Sequence, residues 1–206
     1  MTKIKKALII VLVLLAVFVF LNFGYFRANF EYIFFSPPPV VYKSPNPSPE
    51  SELQPTTEPN LLTISSLGIQ VPIIYPLEAN EKSYQEALAN GVAHFPSTAN
   101  VGEYGNAYIF GHSSDVLWSK GKYKTIFAVL PKIQIGAEIK ASDAQGLEYT
   151  YTVIESRKIA AKDTSVLSQQ NYTRKLLTLQ TSYPIGTALA RWIVVAEIRE
   201  TNFPKN

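Results

Sequence analysis

Three regimes of hydrophobic patterning follow one another along the chain. Ala7 to Phe23 is an almost unbroken apolar run, extended by Gly24, Tyr25 and Phe26 to the roughly 20 residues that a helix needs to cross a bilayer. From Ser36 to Asn60 the periodicity disappears, and this stretch holds eight of the chain's 14 prolines. Such a composition favours extended polyproline conformations over a packed core. Beyond Leu61, short runs of branched and aromatic residues stand between turn signals, at Leu62–Ile64, Leu67–Val71, Ala107–Phe110, Glu138–Ala141, Tyr149–Ala160, Lys175–Thr181 and Trp192–Ile198. These predict short β-strands. Tyr149 to Ile154 alternates most clearly, as a strand with two differently used faces does.

Two short helices are expected among the strands. Ser83 to Asn90 begins with a Ser followed three residues on by Glu86 and is stopped by Gly91, which predicts a capped helix. Lys124 to Leu130, ending before Pro131, is the second. Seven or eight short strands with few helices argue for a closed barrel or a sandwich, and no internal repeat is present. The organisation is then a cytoplasmic N-terminus at 1–6, a transmembrane signal anchor at 7–26, a Pro-rich stalk at 27–60, a β domain at 61–200 and a tail at 201–206.

Charge orients the first segment. Lys3, Lys5 and Lys6 precede the apolar run and Arg27 is the one basic residue close behind it, which puts the N-terminus in the cytoplasm and the rest outside. A cleaved signal peptide begins in the same way. Here, however, Tyr25, Phe26, Phe30, Tyr32, Phe34 and Phe35 stand where small residues would mark a cleavage site, and an uncleaved anchor fits them better. The Pro-rich stretch reads as a spacer, with a docking ligand for another protein as the competing use.

Without the three N-terminal lysines, 16 basic residues balance 16 acidic ones. A neutral exported segment excludes the concentrated basic patch that nucleic acid requires. The chain has no cysteine, so neither a disulfide framework nor a thiolate zinc site is available. Glu78, Glu81, Asp143 and Glu148 are scattered and suggest no calcium site. No metal and no cofactor are expected.

Candidate chemistry gathers in two places. The run Leu176 to Thr181 stops at Ser182, turns through Pro184-Ile185-Gly186 and returns at Arg191-Trp192-Ile193, so Ser182 and Arg191 should face each other. Taken alone, this is equally an ordinary hairpin with a solvated serine and a rim arginine. His112 follows the strand Asn106–Phe110 and Gly111, and precedes Ser113, Ser114 and Asp115. A strand-end histidine can present a ring nitrogen to a cleft, or serve only as a hydrogen-bonded structural group. His94, beside Phe95 and Pro96 in an expected loop, is less telling.

Taken together, the segments GVAHFPSTANVGEYGNAYIFGH and Thr178-Leu179-Gln180-Thr181, with Arg191 at the start of the last strand and an N-terminal anchor, resemble the sortase family of membrane-anchored transpeptidases. The family's Thr-Leu-x-Thr-Cys motif is matched at its first four positions, and Ser182 stands where the nucleophilic cysteine should be. The continuation Tyr183-Pro184 looks more like the housekeeping-type or the class D and E members than the pilus-building ones. The resemblance implies a mainly β fold, a closed eight-stranded barrel with short helices.

It also implies the reaction. An LPxTG-like sorting signal on an exported protein is cleaved through an acyl-enzyme, and an amine of a cell-wall precursor or another surface protein resolves it. His112 would be the general acid/base, Ser182 the nucleophile and Arg191 the oxyanion partner, with Thr181 in the substrate site. Val166 and Leu167, in the loop Ala161–Arg174, would contact the Leu-Pro part of the signal or belong to the core. His94 matches an additional histidine of many members, with no catalytic role assigned. An alcohol does not ionise beside an imidazolium as a thiol does. Three accounts of Ser182 therefore stand open: an engineered replacement, a natural Ser-His-Arg site, or a pseudoenzyme that binds sorting signals without cutting them.

Overall fold

The computed structural model describes residues 3–35, 58–114, 121–170 and 173–198. Two helices open it, α1 (Lys3–Leu21) and α2 (Phe23–Phe35). Within α1, Ile4–Leu21 is long and apolar enough to span a membrane, and none of it is buried against the rest of the protein. The helical path continues past Asn22, whose N–H donates to the Phe18 carbonyl and whose carbonyl accepts from Phe26. It reaches Phe35, well into the stretch expected to begin the stalk, because nothing between Phe23 and Phe35 breaks a helix until the prolines at 37–39. The remainder of the Pro-rich stretch, residues 36–57, lies outside the described residues, as does the tail.

The rest is a closed barrel of eight strands: β1 (Leu61–Ile64), β2 (Ile69–Ile74), β3 (Val92–His94), β4 (Gly105–Phe110), β5 (Glu138–Ser142), β6 (Glu148–Ala160), β7 (Lys175–Tyr183) and β8 (Ala190–Glu197). Around the barrel the order is β1-β2-β3-β4-β7-β8-β6-β5, with β5 closing onto β1. β2 with β3 and β4 with β7 are parallel pairs, and the other neighbours are antiparallel. The inward faces of β4, β7 and β8 contribute Ala107, Ile109, Leu177, Leu179, Val194 and Ala196 to one core with Leu62, Ile64, Phe127, Ile139 and Tyr151.

Several local expectations needed correction. The first helix of the domain, α3 (Glu81–Asn90), starts earlier than Ser83 because Asn80 is its cap, accepting the Ser83 N–H at 2.9 Å. Ser83 is inside the helix. Lys124–Leu130 is not an α-helix: the bonds Ile126 N–H to Tyr123 O and Ala128 N–H to Thr125 O make tight turns that lead into a 3-10 helix at Leu130–Lys132 containing Pro131. β2 begins at Ile69, because Ser65–Leu67 is a 3-10 turn closed by Gly68 at φ 65°. The strand missing from the sequence pattern is β3, which places His94 in the barrel wall and not in a loop.

His94 is buried. Its Nε2 lies 2.8 Å from the Ala99 carbonyl and 3.2 Å from Thr98 Oγ1, and its ring stacks on Tyr75 at 4.6 Å. Burial lowers its pKa, opposed by the Ala99 bond and by Glu103. The native state therefore holds it neutral where the unfolded chain, with a value of about 6.5, takes up a proton. Stability is present above that value and is lost as pH falls below it. A denaturation midpoint measured by urea should drop between about pH 7.5 and pH 5.5, and less so in His94→Phe; equal pH slopes would exclude the histidine as the cause. The buried Tyr151 hydroxyl accepts the Gly102 N–H at 2.8 Å. Tyr151→Phe strands that amide and should cost about 1–3 kcal/mol in urea unfolding.

Candidate active site

The parallel register of β4 on β7 runs from Gly105 opposite Lys175 to Phe110 opposite Gln180. One more bond, Gly111 N–H to Gln180 O at 3.0 Å, extends it past the end of β4. His112 is thereby level with Ser182. On the other side of β7, Ser182 is the direct partner of Arg191 in β8. Side chains alternate across a sheet, so the three residues share the outward face, with the core residues on the inward one. Adjacent strands lie about 4.8 Å apart. Ser182 and Arg191 are therefore neighbours across β7 and β8, with His112 two residues beyond the end of β4 on the other side of the serine, and all three residues of this row are half-buried.

Local chemistry holds the row. Ser182 lies inside β7, which continues to Tyr183, and not beyond its end. Gly111 is needed for close approach and not for a turn, since a Cβ there would come within 2.7 Å of the Phe127 ring and 2.9 Å of Val92. The His112 carbonyl accepts the Phe127 N–H at 3.0 Å. Thr181, expected among the substrate-binding residues, points inward, is 1% exposed and donates to the Gly111 carbonyl at 2.8 Å. It ties β7 to the backbone beside His112 and does not line the outward face. Arg191 Nη1 donates to the carbonyls of Ala188 and Ala190 at 3.1 and 3.0 Å, which anchors its guanidinium to the loop between β7 and β8.

Below the row, the outward face carries Phe110, Gln180 and Ile193, then Tyr108, Thr178 and Val195. The Tyr108 hydroxyl donates to Gln180 Oε1. Burial pushes the Tyr108 pKa up; Arg191 opposes this and Asp163 adds to it, so both charges are felt along this face. Tyr84 and Phe95 pack with Tyr108 and Phe110 as an aromatic wall on the α3 side. Tyr108 and Phe110 do not stand out in the sequence, because aromatic residues in strands read first as core.

The segment between β6 and β7, which contains a 3-10 helix at Ser165–Leu167, is bonded to Asn106 of β4. Asn106 Nδ2 donates to the Val166 carbonyl at 2.8 Å, and the Asn106 backbone exchanges bonds with the Gln169 amide at 3.1 and 3.0 Å. Val166 and Leu167 are half-buried and lie outside the barrel core. Among the described residues no group of three or more acidic, His or Cys side chains could hold a metal ion.

A model described as the sortase domain matches residues 62–199. The chain belongs to the sortase family. Solved sortases show the same fold: the Clostridium perfringens sortase D5 transpeptidase is 28% identical with a TM-score of 0.55, over 68% of this chain and 78% of that one. Sortase C-1 from Actinomyces oris is 22% identical with a TM-score of 0.56, over 68% and 73%. A lid mutant of Corynebacterium diphtheriae sortase A is 20% identical with a TM-score of 0.56, over 69% and 70%. Among curated proteins none matches. The family and fold support transpeptidase chemistry in general.

The contribution of Thr181 can be separated from the chemistry. Thr181→Val keeps the shape but leaves the Gly111 carbonyl without its bond, and should lower unfolding stability by about 1–3 kcal/mol. Thr181→Ser should recover most of the loss; equal destabilisation in both variants would mean that packing and not the hydroxyl holds the row.

Proposed function

We propose that this sortase is a serine-nucleophile transpeptidase that cleaves an LPxTG-like sorting signal on exported proteins and passes the acyl group to an amine at the cell surface. What supports the reading is that Ser182 pairs with Arg191 across β7 and β8, and that the β4–β7 ladder, extended by the Gly111 bond, leads to His112.

A serine site requires a neutral histidine, because the hydroxyl loses its proton only as it attacks. In the proposed reaction Ser182 Oγ bonds to the carbonyl carbon of the signal's threonine while its proton passes to His112. Arg191 faces the developing oxyanion, where a fixed donor is most effective. His112 then gives the proton to the departing glycine amine, leaving an ester on Ser182. An incoming amine, deprotonated by His112, attacks that ester, and the serine recovers its proton as it leaves. The groove between the aromatic wall and Val166-Leu167 would hold the signal. Ile4–Leu21 would anchor the protein, with the N-terminus cytoplasmic and the barrel outside, so the reaction takes place at the outer membrane surface. No cofactor enters these steps.

The substitution of oxygen for sulfur favours one competing reading, a barrel that binds sorting signals without cleaving them. A fluorogenic LPxTG-like peptide separates the two. The intact chain should release product, Ser182→Ala should abolish release, and His112→Ala should reduce it by about 10²- to 10⁴-fold. Ser182→Cys should cleave faster, since its thiol ionises near pH 8.5. Peptide binding without cleavage by the intact chain, with cleavage gained in Ser182→Cys, would overturn the enzymatic reading in favour of the binding one.

A further inference from the structure

The helix that follows the apolar span has two different sides. In α2, Phe23, Phe26, Phe30 and Phe34 recur at spacings of three and four residues, which places them on one stripe. All four are exposed, while Gly24, Tyr25 and Asn29 on the opposite side are half-buried. That second side lies against the barrel. A Cβ on Gly24 would stand 2.9 Å from Thr125 Cγ2, and one on Gly186 would stand 3.3 Å from Asn22 Oδ1.

Both contacts fall at the end of the barrel that carries the row. Thr125 belongs to the turns that lead to Phe127, the residue bonded to the His112 carbonyl. Gly186 is in the loop between β7 and β8, and its N–H donates to Ser114 Oγ at 2.9 Å. Asn22 directly follows the span Ile4–Leu21. The loop beside it, Tyr183 to Ala190, has no charged residue, and its Leu189 is 78% exposed. An uncharged loop with a bare leucine next to the end of a membrane span can enter the headgroup layer without burying a charge, and an aromatic stripe is what that layer favours.

We propose that the phenylalanine stripe of α2 and the β7–β8 loop, through Leu189, form one surface that binds the outer face of the bilayer, holding the mouth of the His112–Ser182–Arg191 row against the lipid. This rests on the membrane-anchored reading above. The partner is a lipid surface and not a protein, and the docking of α2 fixes the barrel at the membrane whatever distance residues 36–57 allow.

The absence of cysteine makes the test direct. Leu189→Cys labelled with an NBD fluorophore gives one probe on the loop. Gln145→Cys gives another on the turn between β5 and β6, which strand register places at the far end of the barrel. The full chain is reconstituted into phosphatidylcholine and phosphatidylglycerol vesicles with and without nitroxide-labelled lipid. The expected result is a blue shift and loss of emission at position 189 with neither change at 145. Adding Gly24→Leu, which drives a side chain into Thr125, should diminish the loss at 189 while the chain stays with the vesicles. A vesicle-bound chain whose 189 probe is unquenched overturns the proposal. A blue shift without nitroxide quenching overturns it in favour of a protein cover such as a second copy. A chain that does not partition with vesicles overturns the anchored reading as well.

Discussion

The structure depends most on the parallel pairing of β4 with β7, and a single buried asparagine fixes it. Asn106 is 4% exposed, and each of its side-chain groups has a partner: Oδ1 accepts from Thr178 at 2.8 Å and Nδ2 donates to the Val166 carbonyl. Its backbone is clamped by Gln169. A buried amide without partners would cost a few kcal/mol, so slipping β7 along β4 is penalised at this residue. The penalty matters because a shift of one residue turns every side chain of a strand to the other face. Ser182 would then enter the core, and Thr181 would face outward. The same asparagine seats the segment that carries Val166 and Leu167, so the register of the row and the position of the groove wall are one constraint.

Given that frame, oxygen in place of sulfur changes what the neighbours must supply. A cysteine can borrow its reactivity from ionisation beside a cation, and modest errors of geometry are tolerated because the thiolate is already formed. A serine gains nothing from an imidazolium and depends on a neutral acceptor aligned at the moment of attack. Under the proposed chemistry that alignment would come from the backbone. Gly111 is bonded to Gln180, Thr181 to Gly111 and Phe127 to His112, so the strands that carry the base and the nucleophile are held together within two residues of both.

Much of this was legible in the chain because the signals are local. Runs of branched and aromatic residues between turn signals locate seven of the eight strands, and the turn at Pro184-Ile185-Gly186 is what sets Ser182 opposite Arg191. β3 was missed because three residues, Val92-Ala93-His94, are too few to show alternation, and a polar histidine ends them. The cap of α3 was misplaced since Asn80 and Ser83 are both good caps, and only the fold decides between them. Thr181 adjoins Ser182 in the motif, but adjacency in a strand means opposite faces, and its hydroxyl donates to the Gly111 carbonyl. The groove walls were invisible for a different reason: Tyr84, Phe95, Tyr108 and Phe110 meet only through α3, β3 and β4 together, and their spacing in the sequence carries no trace of it.

The loop between β7 and β8 is where these constraints meet. Its Ala188 carbonyl, with that of Ala190 at the start of β8, holds the Arg191 guanidinium, its Gly186 amide holds Ser114 just beyond His112, and Asn22 of the N-terminal helix lies against it. A guanidinium has five N–H donors, so anchoring through Nη1 fixes the group in place without exhausting it. Movement of this loop therefore moves the arginine relative to Ser182, whose own position is set by β4 and β7. Under the proposed chemistry the nucleophile and the oxyanion partner are cross-strand neighbours in β7 and β8, and the guanidinium of the latter is held by a loop that Asn22 touches. A contact at Gly186 therefore reaches the row from two sides, through the loop carbonyl that holds Arg191 and through Ser114 beside His112.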